Sequence, residues 1–325
     1  LKIEHFLLDI HFLSFIYLHT QSEKEPKSSM LCDAHIHYIP SELGTYTSFY
    51  KGAWNNKEAL YNHLDTSKIT NALLVYPTTD AYKKLTDNKR IAELYNHAAL
   101  SLKKENNRIK SAGIPDLSSK AKMIDSAKEL HSSGFAAVSL ASSYNGSFLD
   151  ETYYPLFEIC QELEMPIHVH AQTNNPIGFD RLKDPLLMPV LEFTFDISMS
   201  LGYLLMNGVL SRFETKFIFS SFGGVMPFLK ERLDKIYTML RGRGMVKDLG
   251  TTPGTLLKNV YVDTSGSSLN NCSMAIDLFG EQNVLWGSDY PVIGDMKSDL
   301  RKLNNLSKDI QQNVLEENFK KLFNC

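Results

Sequence analysis

Leu31-Cys32-Asp33-Ala34-His35-Ile36-His37 is a short apolar run that ends in an acid and two histidines one residue apart. On a strand, side chains two positions apart project from the same face, so His35 and His37 would offer two imidazoles to one metal ion. On a helix, residues at that spacing do not face each other. The stretch therefore reads as a strand with a metal-binding end. An HxH triplet by itself is often only a surface pair, and the rest of the chain decides its meaning.

Outward from this strand (31–35), seven more strand-like runs follow at 70–76, 109–113, 136–140, 167–170, 216–220, 260–264 and 284–287. Several are almost continuously apolar, as strands covered on both faces are. Amphipathic segments separate them. Residues 88–104 place Ile91, Leu94, Ala98 and Leu102 on one stripe, and 151–164 and 225–240 show the same period. Eight strands alternating with helices predict an α/β fold, a single-domain (β/α)8 TIM barrel. An open doubly wound sheet would need a glycine-rich phosphate loop after its first strand, and none is there.

With 325 residues, 43% of them hydrophobic and 22% charged, the chain can bury a large core. A net charge of -3 argues against nucleic acid or an anionic membrane as partner. The four cysteines (Cys32, Cys160, Cys272, Cys325) lie far apart without CxxC spacing, which suggests reduced thiols and a cytoplasmic setting. Residues 1–20 are apolar but interrupted by Lys2, Glu4, His5, Asp9 and His11, too broken for a membrane span, and the polar stretch 21–29 follows. Residues 1–29 read as an N-terminal extension, with a weak export signal as the other reading, and 30–325 as the barrel domain.

In such barrels the chemistry sits at the C-terminal strand ends. Strand one ends in His35 and His37, strand five in His170, and strand eight in Gly287-Ser288-Asp289-Tyr290-Pro291. Each alone could be a rim or turn residue. Together they converge, because strands one and eight are neighbours in a closed barrel. Three nitrogens and one oxygen suit one divalent ion, Zn first, with Mn or Fe as alternatives. Asp289 could then be both a ligand and the proton acceptor from an activated water. His168 shares the face of His170 one layer deeper and should be buried under the site.

The combination resembles the amidohydrolase superfamily, in particular the amidohydrolase-related branch of aminocarboxymuconate semialdehyde decarboxylase-like enzymes. The matching stretches are Asp33-Ala34-His35-Ile36-His37, Pro166-Ile167-His168-Val169-His170, Gly208-Val209-Leu210-Ser211-Arg212-Phe213, Gly223-Gly224-Val225-Met226-Pro227-Phe228 and Gly287-Ser288-Asp289-Tyr290-Pro291. The resemblance implies His35, His37, His170 and Asp289 as metal ligands, a small-molecule substrate and a homodimer. One position departs from it. The family carries a histidine ahead of the glycine pair on strand six, and here Ser221 stands in that place. A serine hydroxyl donates and accepts hydrogen bonds but does not shuttle protons near neutral pH.

Secondary candidates at strand ends are Tyr76, Ser139, Ser142, Asp263 and Thr264, each of which could equally be packing. Gly223 and Gly224 could offer backbone N–H groups to a substrate carboxylate, or simply form a tight turn. The insertion 40–62, with Trp54, could cap the barrel mouth as a lid or be an ordinary surface packing segment. The expected activity is metal-dependent hydrolysis of a small amide, ester or lactone. The alternatives are a carboxy-lyase acting on an unsaturated or aromatic acid, or a barrel impaired by the loss of the strand-six histidine.

Overall fold

The structure is a computed structural model that describes residues 30–45, 50–77, 88–144, 146–173, 176, 184, 187–292 and 296–325. The expected extension 1–29 lies outside the described residues, as do positions 46–49 of the expected lid. All eight expected strands form: β1 (Leu31–Ile36), β2 (Ile69–Leu74), β3 (Ile109–Gly113), β4 (Ala137–Ala141), β5 (Ile167–His170), β6 (Phe217–Phe219), β7 (Tyr261–Asp263) and β8 (Val284–Leu285). They pair in chain order, all parallel, in an 8-stranded sheet. β1 and β8 then meet through a parallel bridge between Ile36 and Tyr290. Hydrogen bonds from Ala34 N–H to Trp286 O (2.7 Å) and from His37 N–H to Tyr290 O (2.8 Å) continue that seam. The sheet closes on itself as a barrel.

Strand residues divide between two apolar clusters. Cys32, Leu73, Ala112, Ala137, Ile218 and Leu285 form the inner one, and Phe319 and Leu322 from the C-terminal helix Asn318–Phe323 join it. Alternate residues such as Ala72, Leu74, Val138, Leu140, Val169 and Phe219 belong to the larger cluster, with helix side chains such as Ile91, Tyr95 and Leu102. Burying each large side chain contributes about 1.5–3 kcal/mol. The barrel interior is thereby packed at the level of Cys32, and polar chemistry is confined to the C-terminal strand ends.

The helical stripe at 88–104 forms α2 (Asn88–Glu105), following α1 (Lys57–Thr66). Then come α3 (Lys120–Ser132), α4 (Tyr154–Glu162), α5 (Phe193–Met206) and α6 (Met226–Gly242). The expected helix over 151–164 splits. Asp150 caps a 3-10 turn at Glu151–Tyr153, and the proline in the first turn of α4 starts the α-helix there. Among the described residues, α5 is an element the periodicity did not mark. Ile197, Leu201, Leu204 and Leu205 are buried while Phe195, Met199 and Tyr203 are exposed, so it is apolar nearly all round and shows no stripe. The four cysteines are free thiols.

Candidate metal centre

β1 carries His35 and, one residue past its end, His37; β5 ends on His170. Each of the three rings brings a ring nitrogen to within 4.8 Å of the others, and all three side chains are buried. The loop after β8 adds Asp289, whose Oδ1 lies 3.3 Å from His37 Nε2 and 3.8 Å from His35 Nε2. That loop is set by β1: Asp289 N–H donates to His35 O (3.0 Å). Asp289 itself sits at φ 62, a left-handed conformation that aspartate tolerates better than most residues.

The hydrogen bonds of the rings state what belongs between them. Nδ1 of His35 donates to Asp263 Oδ2 (2.7 Å), Nδ1 of His37 to Val75 O (2.9 Å), and Nδ1 of His170 to Ala171 O (2.8 Å). An acceptor on Nδ1 fixes the proton there and leaves Nε2 with an exposed lone pair. His35 Nε2 and His37 Nε2 face each other at 3.1 Å. Two lone pairs that close repel unless a proton or a cation lies between them. With a third imidazole and a carboxylate alongside, the donor set fits a borderline divalent cation.

Asp263, which strand-end reasoning left as a weak pocket residue, is central to this arrangement. It is fully buried at the end of β7. Its Oδ2 accepts from His35 and from His168 Nε2 (3.0 Å). Its Oδ1 accepts from Ser221 N–H (3.2 Å), Ser265 N–H (3.0 Å) and Ser265 Oγ (2.5 Å). Burial alone would raise this carboxyl, but the His35 charge and the two imidazole hydrogen bonds outweigh it and hold it well below the usual carboxylate range. Burial works in the same way against a proton on His35, and Asp263 reverses it, raising that ring. His37 and His170 are lowered, chiefly by burial. His168 lies beneath the site, as its parity requires, and burial lowers it too. The signal that could have singled out Asp263 was the inward parity it shares with His168, two strands away in the sheet.

Close packing makes the geometry exacting. A Cβ on Gly287 would stand 2.7 Å from His35 Cβ and 3.6 Å from Asp263 Cβ. Gly287 is what lets the chain leaving β8 run against His35 on β1. Gly266 lies between Asp289 and Ser221, since a Cβ there would be 3.5 Å from Asp289 Oδ2 and 3.7 Å from Ser221 Oγ. Ser221 therefore does border the centre, in left-handed backbone at φ 54. The ring of Trp54 stacks on His37 (centroids 5.4 Å apart, 20° between planes), so part of the 40–62 insertion walls the site.

The structure also gives the surroundings of the glycine pair and of Tyr76. The Gly223 and Gly224 N–H groups donate to Ser220 O and Ser221 O, both at 2.9 Å, so the glycine pair is a tight turn whose amides are already used. Tyr76 is buried edge-on against Tyr95 (4.9 Å) and belongs to the apolar core. Beside Asp289 opens a cleft of about 310 Å³ lined by Gly266, Ser267, Leu269, Trp286 and Ser288 among others, at the small end of the range for ligand pockets. No helix among the described residues is long and apolar enough to cross a membrane.

A family model described as amidohydrolase matches residues 32–325. The chain is 23% identical over 190 residues to a 2-amino-3-carboxymuconate-6-semialdehyde decarboxylase of Dictyostelium discoideum. That alignment takes in 57% of this chain and 52% of the other, so the chain spans about half the length of this curated relative. Among solved structures, 5-carboxyvanillate decarboxylase from Novosphingobium aromaticivorans, complexed with manganese and 4-hydroxy-3-methoxy-5-nitrobenzoic acid, superposes with a TM-score of 0.79. It shares 18% identity, over 92% of this chain and 97% of that one. 2,6-Dihydroxybenzoate decarboxylase from Rhizobium superposes with a TM-score of 0.76 at 16% identity, over 91% of this chain and 99% of that one. At these identities the structural likeness speaks for the barrel.

Proposed function

The chain belongs to the amidohydrolase family, matched over nearly its whole barrel, and from that premise we propose that it is a metal-dependent carboxy-lyase acting on a small aromatic or unsaturated carboxylic acid. The observation that carries the metal half of this reading is the convergence of His35, His37 and His170 with every Nδ1 already committed. The carboxy-lyase half is supported by the relatives just described, which are decarboxylases. Hydrolysis, the activity first expected from the strand ends, has no comparable support among them.

His35, His37, His170 and Asp289 would hold the ion. When bound, it supplies a Lewis-acidic centre for the substrate carboxylate and a neighbouring oxygen. The donor set alone does not choose Zn over Mn; a manganese-containing neighbour makes Mn(II) the first metal to load. Asp263 keeps His35 in its Nδ1–H tautomer, and Trp54 covers the face of His37. Asp289, with its side chain 20% exposed, is the group that can both reach the ligands and meet a substrate. In decarboxylation the bond between the carboxylate and its carbon breaks, CO2 leaves, and the carbon keeps the electron pair and must take a proton. In this reading Asp289 carries that proton to the carbon. The cleft beside it has room for a small ring.

The test loads chelator-stripped protein with Mn(II) or Zn(II) and follows CO2 release from hydroxylated benzoic acids and carboxymuconate-type acids in D2O. The expected result is about one metal per chain and deuterium at the vacated carbon. His35→Ala and Asp289→Ala should lose the metal. Metal uptake with hydrolysis of amides or lactones and no CO2 release would overturn the carboxy-lyase reading. Full metal in both variants would overturn the ligand set. Ser221 in place of the family histidine favours a second reading, in which the metal is held but turnover is impaired.

A further inference from the structure

His35 leans directly on a carboxylate, but His170 does not: its Nδ1 donates to the carbonyl of its own neighbour, Ala171, at 2.8 Å. That carbonyl and the N–H of Gln172 are the two ends of one planar peptide unit, so fixing one fixes the other. The Gln172 N–H donates to Ser142 Oγ at 3.0 Å. Ser142 Oγ in turn donates to Asp196 Oδ1. Ser143 Oγ reaches the same carboxylate, 3.0 Å from Oδ1 and 2.9 Å from Oδ2. A second tie, Ser142 N–H to His170 O at 2.7 Å, binds the end of β4 to the end of β5. Asp196 lies on α5 and is fully buried.

Every donor in this series points the same way. A serine hydroxyl has one proton, so giving it to Asp196 leaves a lone pair free to accept from Gln172. We propose that Asp196 is a positioning residue for His170, acting through Ser142 and the Ala171–Gln172 peptide. The relay does for His170 what Asp263 does for His35, but through a peptide group. It holds the ring in the Nδ1–H tautomer, aims its Nε2 at the centre, and makes that nitrogen a better donor by aligned polarisation. It also gives α5 a purpose that no strand-end motif supplies. The assignment of His170 as a metal ligand is the proposed-function reading on which this rests.

The experiment uses the full chain in two states. In chelator-stripped protein, long-range 1H–15N spectra report the tautomer of His170, its signals identified by their loss in His170→Gln. Wild type should show Nδ1–H. Asp196→Leu and Ser142→Ala should both shift the ring toward a mixture with Nε2–H. Asp196→Asn keeps an accepting Oδ1 and should retain Nδ1–H. In the second state, Mn(II) titration should show affinity about 10-fold or more weaker for Asp196→Leu, with Asp196→Asn between it and wild type. An unchanged tautomer in folded Asp196→Leu or Ser142→Ala would overturn the relay, and so would an Asp196→Asn ring as disturbed as that of Asp196→Leu. Should Asp196→Leu fail to fold, Ser142→Ala decides by the same signal. If wild type takes up no Mn(II), the metal reading fails while the tautomer comparison still judges the relay.

Discussion

Replacing Gly287 with alanine isolates how much the centre depends on one hydrogen atom's worth of space. The added Cβ would stand 2.7 Å from His35 Cβ, 3.4 Å from His35 N and 3.6 Å from Asp263 Cβ. Carbon atoms rest about 3.5–4.0 Å apart, so His35 and β8 must separate by about 0.8 Å or more. None of the three is the loose end of a side chain. Gly287 is not among the residues with positive φ, so alanine meets no backbone penalty and the effect is purely the collision. The His35–Asp263 hydrogen bond starts at 2.7 Å. A shift of that size carries it toward or past the upper limit of about 3.2 Å, freeing the ring to rotate. Overpacking should cost about 1–3 kcal/mol of stability. Loss of the orienting carboxylate should weaken metal binding about 10- to 100-fold, or about 1.4–2.7 kcal/mol. Urea unfolding gives the first quantity and Mn(II) titration the second. Gly266→Ala is the control, since its Cβ meets only ordinary contacts but at φ +60, so it should lose about 1–2 kcal/mol of stability through backbone strain. Wild-type Mn(II) affinity in folded Gly287→Ala would refute the reasoning that the Gly287–His35 contact sets the geometry of a metal centre.

Ser221→His restores the family residue in left-handed backbone that histidine tolerates. Turnover of any acid the wild type decarboxylates should rise about 10²-fold or more, the lower range for a placed acid–base group, and a folded, metal-loaded variant no faster than wild type would sink that expectation. Trp54 stacks on His37, and the chain has only Trp54 and Trp286. Paramagnetic Mn(II) should therefore quench tryptophan emission in wild type and quench it less in Trp54→Phe, where only Trp286 beside the cleft remains, and wild-type emission unmoved by bound Mn(II) would place the metal elsewhere. Burial depresses His63, stacked on Tyr290, to about 4. Between about pH 6.5 and 4 the unfolded chain takes up that proton and the folded chain does not, so stability falls as pH falls through this window. After allowance for partial solvent contact the loss is about 1–3 kcal/mol. Urea midpoints for wild type and His63→Leu at pH 7 and pH 4.5 should show a shallower acid decline in the variant, and parallel declines would exclude His63 as the cause.

The barrel was legible because strands covered on both faces must be almost wholly apolar, and eight such runs recur along the chain. His35, His37 and His170 were legible because strand parity is local. What stayed hidden depends on partners far away in sequence. Asp263 meets His35 across 228 positions and His168 across 95, and nothing in its own neighbourhood announces either. Asp196 was invisible for a second reason: it sits on a helix without a polar face. Gly223 stayed ambiguous because a glycine pair before a helix has two uses with the same spelling, and only the acceptors of its amides show which one the backbone takes.

Parity is broken within β1, and one of its two register shifts bears on how Asp289 comes to its place. Alternation would put Asp33, His35 and His37 on a single face. In the barrel, the register of β1 against β2 slips between Asp33 and Ile36, and Asp33 pairs with Ala72 of the outer cluster. The acid is thereby turned away from the two rings. Its Oδ1 instead accepts His35 N–H at 3.0 Å and Ser288 N–H at 2.9 Å. Burial pushes this carboxyl up to about 6 despite those bonds. A buried acid held at that cost needs a reason, and the reason is visible in what it joins: the strand that carries His35 and His37 and the residue immediately before Asp289. A bulge that looks like a fault in the pairing thus ties the start of the barrel to its end at the point where the donors must meet.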